Sequence, residues 1–305
     1  MLTFKPIEIE DRETITAYTY PNNLLNCDYA FANMCSWRFL YHSEFAIHDR
    51  LLFIRFYVEV NEQRRLAYMF PIGDGDIKQA IERMSKDAES AGHALLLLGV
   101  TPEVKEILDT LFPNTFSYIM ERNFYDYIYL REDLITLKGK KYQPKRNHIN
   151  HFKKQFDYMY LPITQDIIPK CRELEQVWYE ANKDVDNNEE LIHERCSMRF
   201  AMEHANELGL LGGALVVDNK IIAFTYGSPI NNKTFSIHVE KADIRFEGVF
   251  SVINQEFAKQ IPPQYVYINR EEDLGIPGLR KSKLSYHPHL LLEKNSATLR
   301  DPKRP

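Results

Sequence analysis

Residues 234–257 read TFSIHVEKADIRFEGVFSVINQEF, and this stretch decides the fold. Its first part has the β-branched and aromatic residues of a strand, and its last part has the apolar spacing of an amphipathic helix. Between them lies Arg245-Phe246-Glu247-Gly248. A glycine at a helix start lets backbone N–H groups approach a ligand, and the helix dipole favours an anion there. The stretch therefore predicts a strand–turn–helix unit that binds an anionic group at Gly248, with Arg245 beside it.

The surrounding segments predict an α/β (α+β) module with a mixed, largely antiparallel sheet. Asp218-Asn219 and Asn231-Asn232 separate its strands, since such pairs tolerate the left-handed backbone of tight hairpins. The expected order is two helices from Thr164 to Gly209, strands at Leu210–Val217, Ile221–Tyr226 and Thr234–Val239, a helix at Phe246–Gln260, a strand at Tyr265–Asn269, a short helix at Gly278–Lys283 and a strand at Leu290–Leu292.

The first half repeats this element order about 170 residues earlier, without evident sequence identity. Its expected elements are a hairpin at Leu51–Phe70, helices at Asp76–Ala91 and Pro102–Leu111, and strands at Ala94–Val100 and Phe124–Leu130. The repeat predicts two tandem copies of one module. The boundary is expected between Leu134 and Pro144, where Lys138-Gly139-Lys140-Lys141 interrupts the apolar pattern, which gives domains 1–137 and 138–305.

Composition narrows the class of protein. A chain of 305 residues with 44% hydrophobic and 27% charged residues suits two ordinary globular domains. A net charge of −5 argues against binding nucleic acid or an anionic membrane through the whole surface, although a local basic patch stays open. No signal sequence or transmembrane segment is evident, and Cys27, Cys35, Cys171 and Cys196 lack metal-ligand spacing. We therefore expect a cytoplasmic protein with reduced thiols and no metal site.

A basic junction joins the halves. Between residues 138 and 154 it carries Lys138, Lys140, Lys141, Lys145, Arg146, Lys153 and Lys154, uninterrupted by any acid. A solvated basic helix face explains this run. An edge that binds a phosphate, an acidic lipid headgroup or an RNA backbone explains it equally well.

The loop NREEDLGIPGLRKSK at residues 269–283 places three acids before a turn flanked by glycines and a cationic helix. Open α/β folds place chemistry in loops that follow strands. Glu271, Glu272 or Asp273 could supply a general base, with Asn269, Arg280 and Lys283 binding substrate. The alternative is a capping acid with surface ion pairs around a short helix.

Three stretches together carry a family resemblance: KKYQPKRNHINHF (140–152), HVEKADIRFEGVFSVINQEF (238–257) and NREEDLGIPGLRKSKLSYHP (269–288). They resemble motifs of an uncharacterised bacterial family related to the C-terminal domain of phosphatidylglycerol lysyltransferase. The resemblance implies two tandem GNAT-like (acetyltransferase-type) domains. In the lysyltransferase relatives it implies transfer of an aminoacyl group from aminoacyl-tRNA to a lipid headgroup, although this chain lacks their long hydrophobic membrane region.

The resemblance also assigns the phosphate-binding turn. Arg245 and Gly248 match the first two fixed places of the acetyltransferase motif Arg/Gln-x-x-Gly-x-Gly/Ala, and the third place falls on Phe250. That bulk weighs against ordinary acetyl-CoA binding.

These observations predict an acyl- or aminoacyl-group transferase acting on an amine or hydroxyl, with Glu272 and Asp273 as the catalytic carboxylates. The donor is an acyl-CoA or an aminoacyl-tRNA, and no other cofactor is indicated. Partners are an anionic or phosphorylated small molecule or carrier, with tRNA and a peripheral lipid among the candidates. The alternatives are a CoA-dependent N-acetyltransferase and an inactive module that binds an anionic ligand. We further expect one anion site formed by Lys145, Arg146, Arg245 and Arg280.

Overall fold

The computed structural model describes residues 2–60, 62–182 and 188–300. Its strands are β1 (Lys5–Pro6), β2 (Glu44–His48), β3 (Leu51–Val60), β4 (Gln63–Tyr68), β5 (Ile72–Gly73), β6 (Leu96–Val100), β7 (Phe116–Met120), β8 (Asp126–Leu130), β9 (Met159–Pro162), β10 (Leu211–Val217), β11 (Lys220–Pro229), β12 (Thr234–Ala242), β13 (Tyr267–Asn269), β14 (Leu290–Leu292) and β15 (Asn295–Leu299).

Its helices are α1 (Arg12–Thr19), α2 (Phe31–Ser36), α3 (Arg38–Tyr41), α4 (Ile77–Ser90), α5 (Pro102–Leu111), α6 (Arg131–Thr136), α7 (Gln143–Gln155), α8 (Ile168–Asn182), α9 (Asn188–Glu203), α10 (Ala205–Leu208), α11 (Val249–Gln260) and α12 (Pro277–Leu284).

The strands form two mixed sheets, as the sequence predicted for an α+β fold. The first sheet has the order β1-β2-β3-β4-β6-β15-β7, with β5 paired to β3. The second has the order β14-β8-β13-β12-β11-β10-β9. The sheets exchange one strand each: β8 lies between β14 and β13 of the second sheet, and β15 lies between β6 and β7 of the first. The chain thus enters the second sheet at Asp126, ahead of the expected boundary at residues 134–144, which stays a prediction.

Local sequence explains the turns of the second sheet. Asp218 and Asn219 both have positive φ, 49° and 61°, and they close the two-residue hairpin in which Val217 pairs with Lys220. These are the values that a twisted two-residue hairpin requires, and Asp and Asn accept them more readily than most residues. The sequence prediction of a tight turn here is confirmed.

Alternation along the strands places the second sheet between two apolar layers. Phe224 and Tyr226 of β11 face a core shared with α1, α2, α8 and α9, whereas Ala223 faces a core formed with α6, α7 and α11. The first of these cores joins the two halves of the chain. A third core lies under the first sheet, against α4 and α5.

The centre of the second sheet contains its single parallel pair among the described residues, β12 and β13. Thr234, Phe235 and Ser236 pair with residues 267–269, after which β13 ends while β12 continues to Ala242. The strand expected at Tyr265–Asn269 thus lies beside the strand expected at Thr234–Val239. Beyond Ser236 the two chains are no longer paired, and the loop after β13 occupies the space beside β12.

Candidate functional site

The loop that follows β13 is fixed at its base by Asn269, which is fully buried. Its Nδ2 donates to Leu25 O (2.8 Å) and Asp126 Oδ2 (2.7 Å), and its Oδ1 accepts from the Glu271 backbone N–H (2.6 Å). Glu271 then adopts φ 57°, a left-handed conformation that is uncommon for glutamate. Asn269, predicted to bind substrate, instead shapes the loop, and the backbone twist sends the three successive acids in different directions.

Asp273 points into a clamp of cations. Its fully buried carboxylate accepts from Arg280 at 2.7 and 2.8 Å, from Tyr127 Oη at 2.6 Å and from Arg122 at 3.2 Å. Burial alone raises the pKa of Asp273, but the hydrogen bonds from Arg280 and Tyr127 outweigh it and hold the pKa far below its ordinary value. So weak a base suits a structural clamp that ties the loop to α12 and does not suit the general-base role expected from the sequence.

Glu272 belongs to an acidic cluster, which consists of Asp28, Asp126 and Glu272 around the buried Lys294 ammonium. Lys294 Nζ lies 2.8 Å from Asp126 Oδ1 and 3.3 Å from Asp28 Oδ2, and it also contacts Glu272 Oε1. Burial raises the pKa of Glu272, but the Lys294 charge lowers it overall. Burial raises the pKa of Asp126 to about 6 despite Lys294. The cluster carries more acids than cations.

Cys27 lies at the edge of this cluster, with Sγ 3.4 Å from Asp126 Oδ1. One ligand atom each from Cys27, Asp28 and Glu272 lie within 4.8 Å of one another, a grouping that the cysteine spacing did not reveal. Burial and the neighbouring carboxylates raise the pKa of the Cys27 thiol well above its ordinary value. The cysteine is therefore a neutral thiol, and the Lys294 ammonium supplies the positive charge at this place.

Glu271 ends on the opposite side of the loop, against β12 and α2. Its Oε1 accepts three hydrogen bonds, from Asn33 Nδ2 (2.8 Å), Ser236 Oγ (3.1 Å) and His238 Nδ1 (2.8 Å). On the other side of the imidazole, His238 Nε2 lies 2.7 Å from Ser228 Oγ. The side chain of Glu271 is 20% exposed, and no hydrogen bond among the described residues engages its Oε2. Glu272 Oε2 likewise accepts no hydrogen bond among the described residues, but its Oε1 is paired with the Lys294 ammonium. Glu271 is thus the one of the three acids that has an unengaged oxygen and no lysine or arginine partner in the described part of the chain.

Sequence reasoning missed His238 and Ser228. Both lie within strands, β12 and β11, and nothing in their spacing marks them. The useful signal is structural: the register of β11 and β12 shifts between Tyr226 and Gly227, so that His238 is the extra residue of a β-bulge. Bulges re-aim side chains next to functional sites.

A groove at the start of α11 matches the anion-binding turn predicted from the sequence. It has a volume of about 280 Å³ and is lined by Lys145, His148, Ile244, Phe246, Glu247, Gly248, Val249, Phe250 and Ser251. Gly248 has φ 89°, and a Cβ there would lie 2.6 Å from His148 O, so the position requires glycine. Phe250 lines the same groove, and its side chain is exposed.

A second cationic side chain, that of Arg270, lies close to Lys145 of the groove. Lys145 Nζ sits 3.9 Å from the centre of the Tyr286 ring, and the Arg270 guanidinium lies 4.9 Å from the same ring. Burial and the Arg270 charge lower the pKa of Lys145 to about 8. Arg270 pairs with Glu240 at 3.1 Å, yet its Nη1 is buried and has no partner in the described part of the chain. Lys145 therefore gives the groove a cationic side chain, and Arg270 lies close to that lysine without lining the groove.

The other predicted cations have local partners. Arg146 donates to Gly139 O (2.7 Å) and to Leu137 O at the end of α6. Arg245 forms a bidentate pair with Asp243 and is 78% exposed. Arg280 is held by Asp273, and buried Lys283 donates to the backbone of the loop at Arg270 O and Glu272 O. No contact among the described residues brings Arg245 and Arg280 together, and the four-cation site stays a prediction.

Comparison with known proteins places this geometry in a family. The family model described as phosphatidylglycerol lysyltransferase, C-terminal, matches residues 23–297. The chain belongs to this lysyltransferase C-terminal family. The match includes both halves of the chain, the acidic loop and the groove at Gly248.

Solved structures agree with the family assignment. A conserved protein of unknown function from Bacteroides thetaiotaomicron is 48% identical, with a TM-score of 0.93 over 98% of this chain and 100% of that one. The C-terminal domain of a putative lysylphosphatidylglycerol synthetase from Agrobacterium fabrum has a TM-score of 0.67 at 13% identity, over 94% and 91% of the two chains. The structure of L-PGS from Bacillus licheniformis gives 0.64 at 15%, over 96% and 92%. The last two likenesses show a shared fold.

An uncharacterised protein of Mycoplasmoides gallisepticum is 24% identical over 177 residues. The match covers 58% of this chain, which spans about half the length of that relative, 56%. Within the described residues of this family member, none of the helices has the length and apolar composition that a membrane crossing needs.

Proposed function

We propose that this protein is an aminoacyltransferase, which moves the acyl group of an aminoacyl ester from a phosphorylated carrier to a hydroxyl or amine. The observation that carries the proposal is the free Oε2 of Glu271, held by three hydrogen bonds to Oε1 beside the parting strands β12 and β13. Membership of the lysyltransferase C-terminal family supports the aminoacyl donor.

The groove at Gly248 suits the phosphate of the carrier. It combines the N-terminus of the twelve-residue helix α11, whose dipole favours negative charge, with Lys145, and the Arg270 guanidinium lies close to that lysine. A charge-assisted hydrogen bond to phosphate contributes about 1.5–3 kcal/mol when partly desolvated. Aminoacyl-tRNA is the carrier that fits both this groove and the family.

The acidic cluster suits the α-ammonium of the aminoacyl group. Its three carboxylates face a single ammonium, that of Lys294, and Asp28 is partly exposed. Asn33 links the cluster to the base, because its Nδ2 contacts both Cys27 O (3.4 Å) and Glu271 Oε1 (2.8 Å). An ammonium bound at Asp28 would thus bring the ester carbonyl near Glu271.

The reaction then needs one proton acceptor. The acceptor oxygen or nitrogen attacks the ester carbonyl while Glu271 Oε2 takes its proton. A new C–O or C–N bond forms, and the ester bond to the carrier breaks. Glu271 returns the proton to the departing carrier oxygen, so the site ends as it began. A general base in this role contributes about 10²–10⁴-fold to the rate.

The test is transfer of a labelled amino acid from a pool of charged tRNAs to acceptors in separate arms, namely phosphatidylglycerol vesicles and a soluble primary amine. We expect label in one acceptor arm and a roughly 10²–10⁴-fold lower rate with Glu271→Gln. Glu82→Gln, on the exposed face of α4, is the matched control.

A third arm offers acetyl-CoA to the same amine, because the Gly248 groove also fits the CoA-dependent alternative. Release of CoA with acetylated amine would transfer the lead to an N-acetyltransferase. Wild-type protein that is inactive in every arm would leave only the anion-binding module.

A further inference from the structure

A chain of hydrogen bonds runs behind the proposed base. Ser228 Oγ, the His238 imidazole and Glu271 Oε1 follow one another at 2.7 and 2.8 Å. This is the hydroxyl–imidazole–acid order of a nucleophilic serine site, in which a base activates the hydroxyl and an acid orients the base.

The exposure of the three side chains shows which end of this series of hydrogen bonds a substrate can reach. Ser228 is 2% exposed and the His238 side chain 6%, whereas the Glu271 side chain is 20% exposed. An ester carbonyl therefore has no route to the serine in this arrangement. Glu271 is therefore the member of the series that solvent reaches, whereas Ser228 is closed off from it.

We propose that His238 and Ser228 are positioning residues for Glu271: the serine fixes the imidazole tautomer, and the imidazole fixes the carboxylate with Oε2 toward the cleft. This inference rests on the proposed transferase function. Under it, two strand residues that do not contact the substrate act on the reaction through Glu271.

Hydrogen-bond directions follow from the chemistry of each atom. A carboxylate oxygen only accepts, so His238 Nδ1 must carry the ring proton. In the neutral ring Nε2 then accepts, and Ser228 is its donor. A second proton on the ring would make Nε2 a donor and put a positive charge beside Glu271. That charge would favour the ionised carboxylate and weaken the base.

Four side chains face these hydrogen bonds from the packed elements near neutral pH: Tyr226, Asn33, Ser236 and Glu194. Burial holds the pKa of Tyr226, whose ring lies 6.3 Å from the imidazole, well above its ordinary value. Asn33 on α2 and Ser236 on β12 do not ionise in this range. The negative charge of Glu194 on α9 also raises the pKa of Tyr226, and Glu194 is itself paired with Lys241 at 2.8 Å.

Two substitutions distinguish the roles of the two ring nitrogens of His238. The amide nitrogen of His238→Asn falls at the Nδ1 place and keeps the bond to Glu271, whereas that of His238→Gln falls at the Nε2 place and loses it. Because a hydrogen bond to a charged group is lost, we expect His238→Gln to lower kcat roughly 10- to 100-fold with the donor KM unchanged.

His238→Asn should stay within about 3-fold of wild type, because its side-chain amide still donates to Glu271. His48→Asn on β2 is the control. Equal kcat losses with both His238 variants would overturn the proposal.

An arm without turnover separates this inference from the proposed function. Nitrogen-15 NMR of the full chain labelled in histidine should show His238 protonated at Nδ1 in the wild type and a tautomer mixture in Ser228→Ala. An Nε2-protonated ring in the wild type would refute the arrangement even if transfer is observed. Labelling of Ser228 by a fluorophosphonate would show a nucleophilic serine and refute it as well. The Nδ1 tautomer in a protein without transferase activity would uphold the hydrogen-bonded chain and reject the function.

Discussion

Asp126 is expected to make the protein less stable as the pH rises through the range from about 4 to 6. It is fully buried, accepts from the Cys27 N–H (2.8 Å) and Asn269 Nδ2 (2.7 Å), and pairs with Lys294. Burial, opposed by Lys294 and reinforced by Glu272, raises its pKa from 3.8 to about 6. At about 1.36 kcal/mol per pH unit, this difference corresponds to about 3 kcal/mol.

The sign follows from proton binding. Between the unfolded and folded pKa values the folded state holds the extra proton, so acid favours folding and the advantage disappears as the pH approaches and passes 6. Asp126→Asn removes the titration while nearly preserving the shape. Subtracting its unfolding free energy from that of the wild type cancels most contributions of other groups.

The assay is urea unfolding of both proteins at pH values from 4.5 to 7.5. The unfolding free energy of the wild type minus that of Asp126→Asn should fall by about 2 kcal/mol across this range. The full difference of about 3 kcal/mol is not reached because part of the effect lies below pH 4.5. A difference that is constant, or that rises with pH, would refute the reasoning, because either result would mean that burial does not disfavour the ionised carboxylate.

Three further changes test other parts of the structure. Lys294→Met leaves three carboxylates without their ammonium, so we expect the unfolding free energy, measured in urea, to fall by about 3–5 kcal/mol at pH 7.5 and by less below pH 5. The control Lys86→Met, at an exposed position, should lower it by less than about 0.5 kcal/mol. A similar loss in both would count against the cluster. Gly248→Ala should lower the unfolding free energy by about 1–3 kcal/mol, because it forces a Cβ toward His148 O at positive φ, and an unchanged midpoint would argue against that close approach. Calorimetric titration with acetyl-CoA should give weak or no binding to the wild type and tighter binding to Phe250→Gly; sub-micromolar wild-type binding would show that the turn works despite the phenylalanine.

The order of elements in the second half could be predicted because each element carries its own local pattern. The strand from Thr234, the short helix near Gly278 and the strand Leu290–Leu292 all appear close to their expected positions. Helix α11 begins three residues late, at Val249, because Gly248 in a left-handed conformation precedes it. Strands β7 and β15 were missed, since their mixed polar and apolar residues do not form an alternating strand pattern.

The candidate site was predictable only as a region. The pattern of acids marked the loop, but the role of each acid depends on partners far away in the sequence. Asn33, which holds Glu271, lies 238 residues from it, and Lys294 comes from the segment before β15. A single sequence gives no local sign of such contacts, so Asp273 looked like as good a base as Glu271.

The exchange of strands between the sheets has a consequence for any attempt to divide the molecule. Cleavage near residue 137 would leave an N-terminal fragment lacking β15, the strand that bridges β6 and β7, and carrying β8 without its sheet. The C-terminal fragment would have a gap between β13 and β14 and an orphan strand of its own. Neither piece has a complete sheet, but each holds the strand that the other lacks. The two fragments produced together should thus reconstitute the fold by complementation, whereas either one alone exposes open β-edges and tends to aggregate.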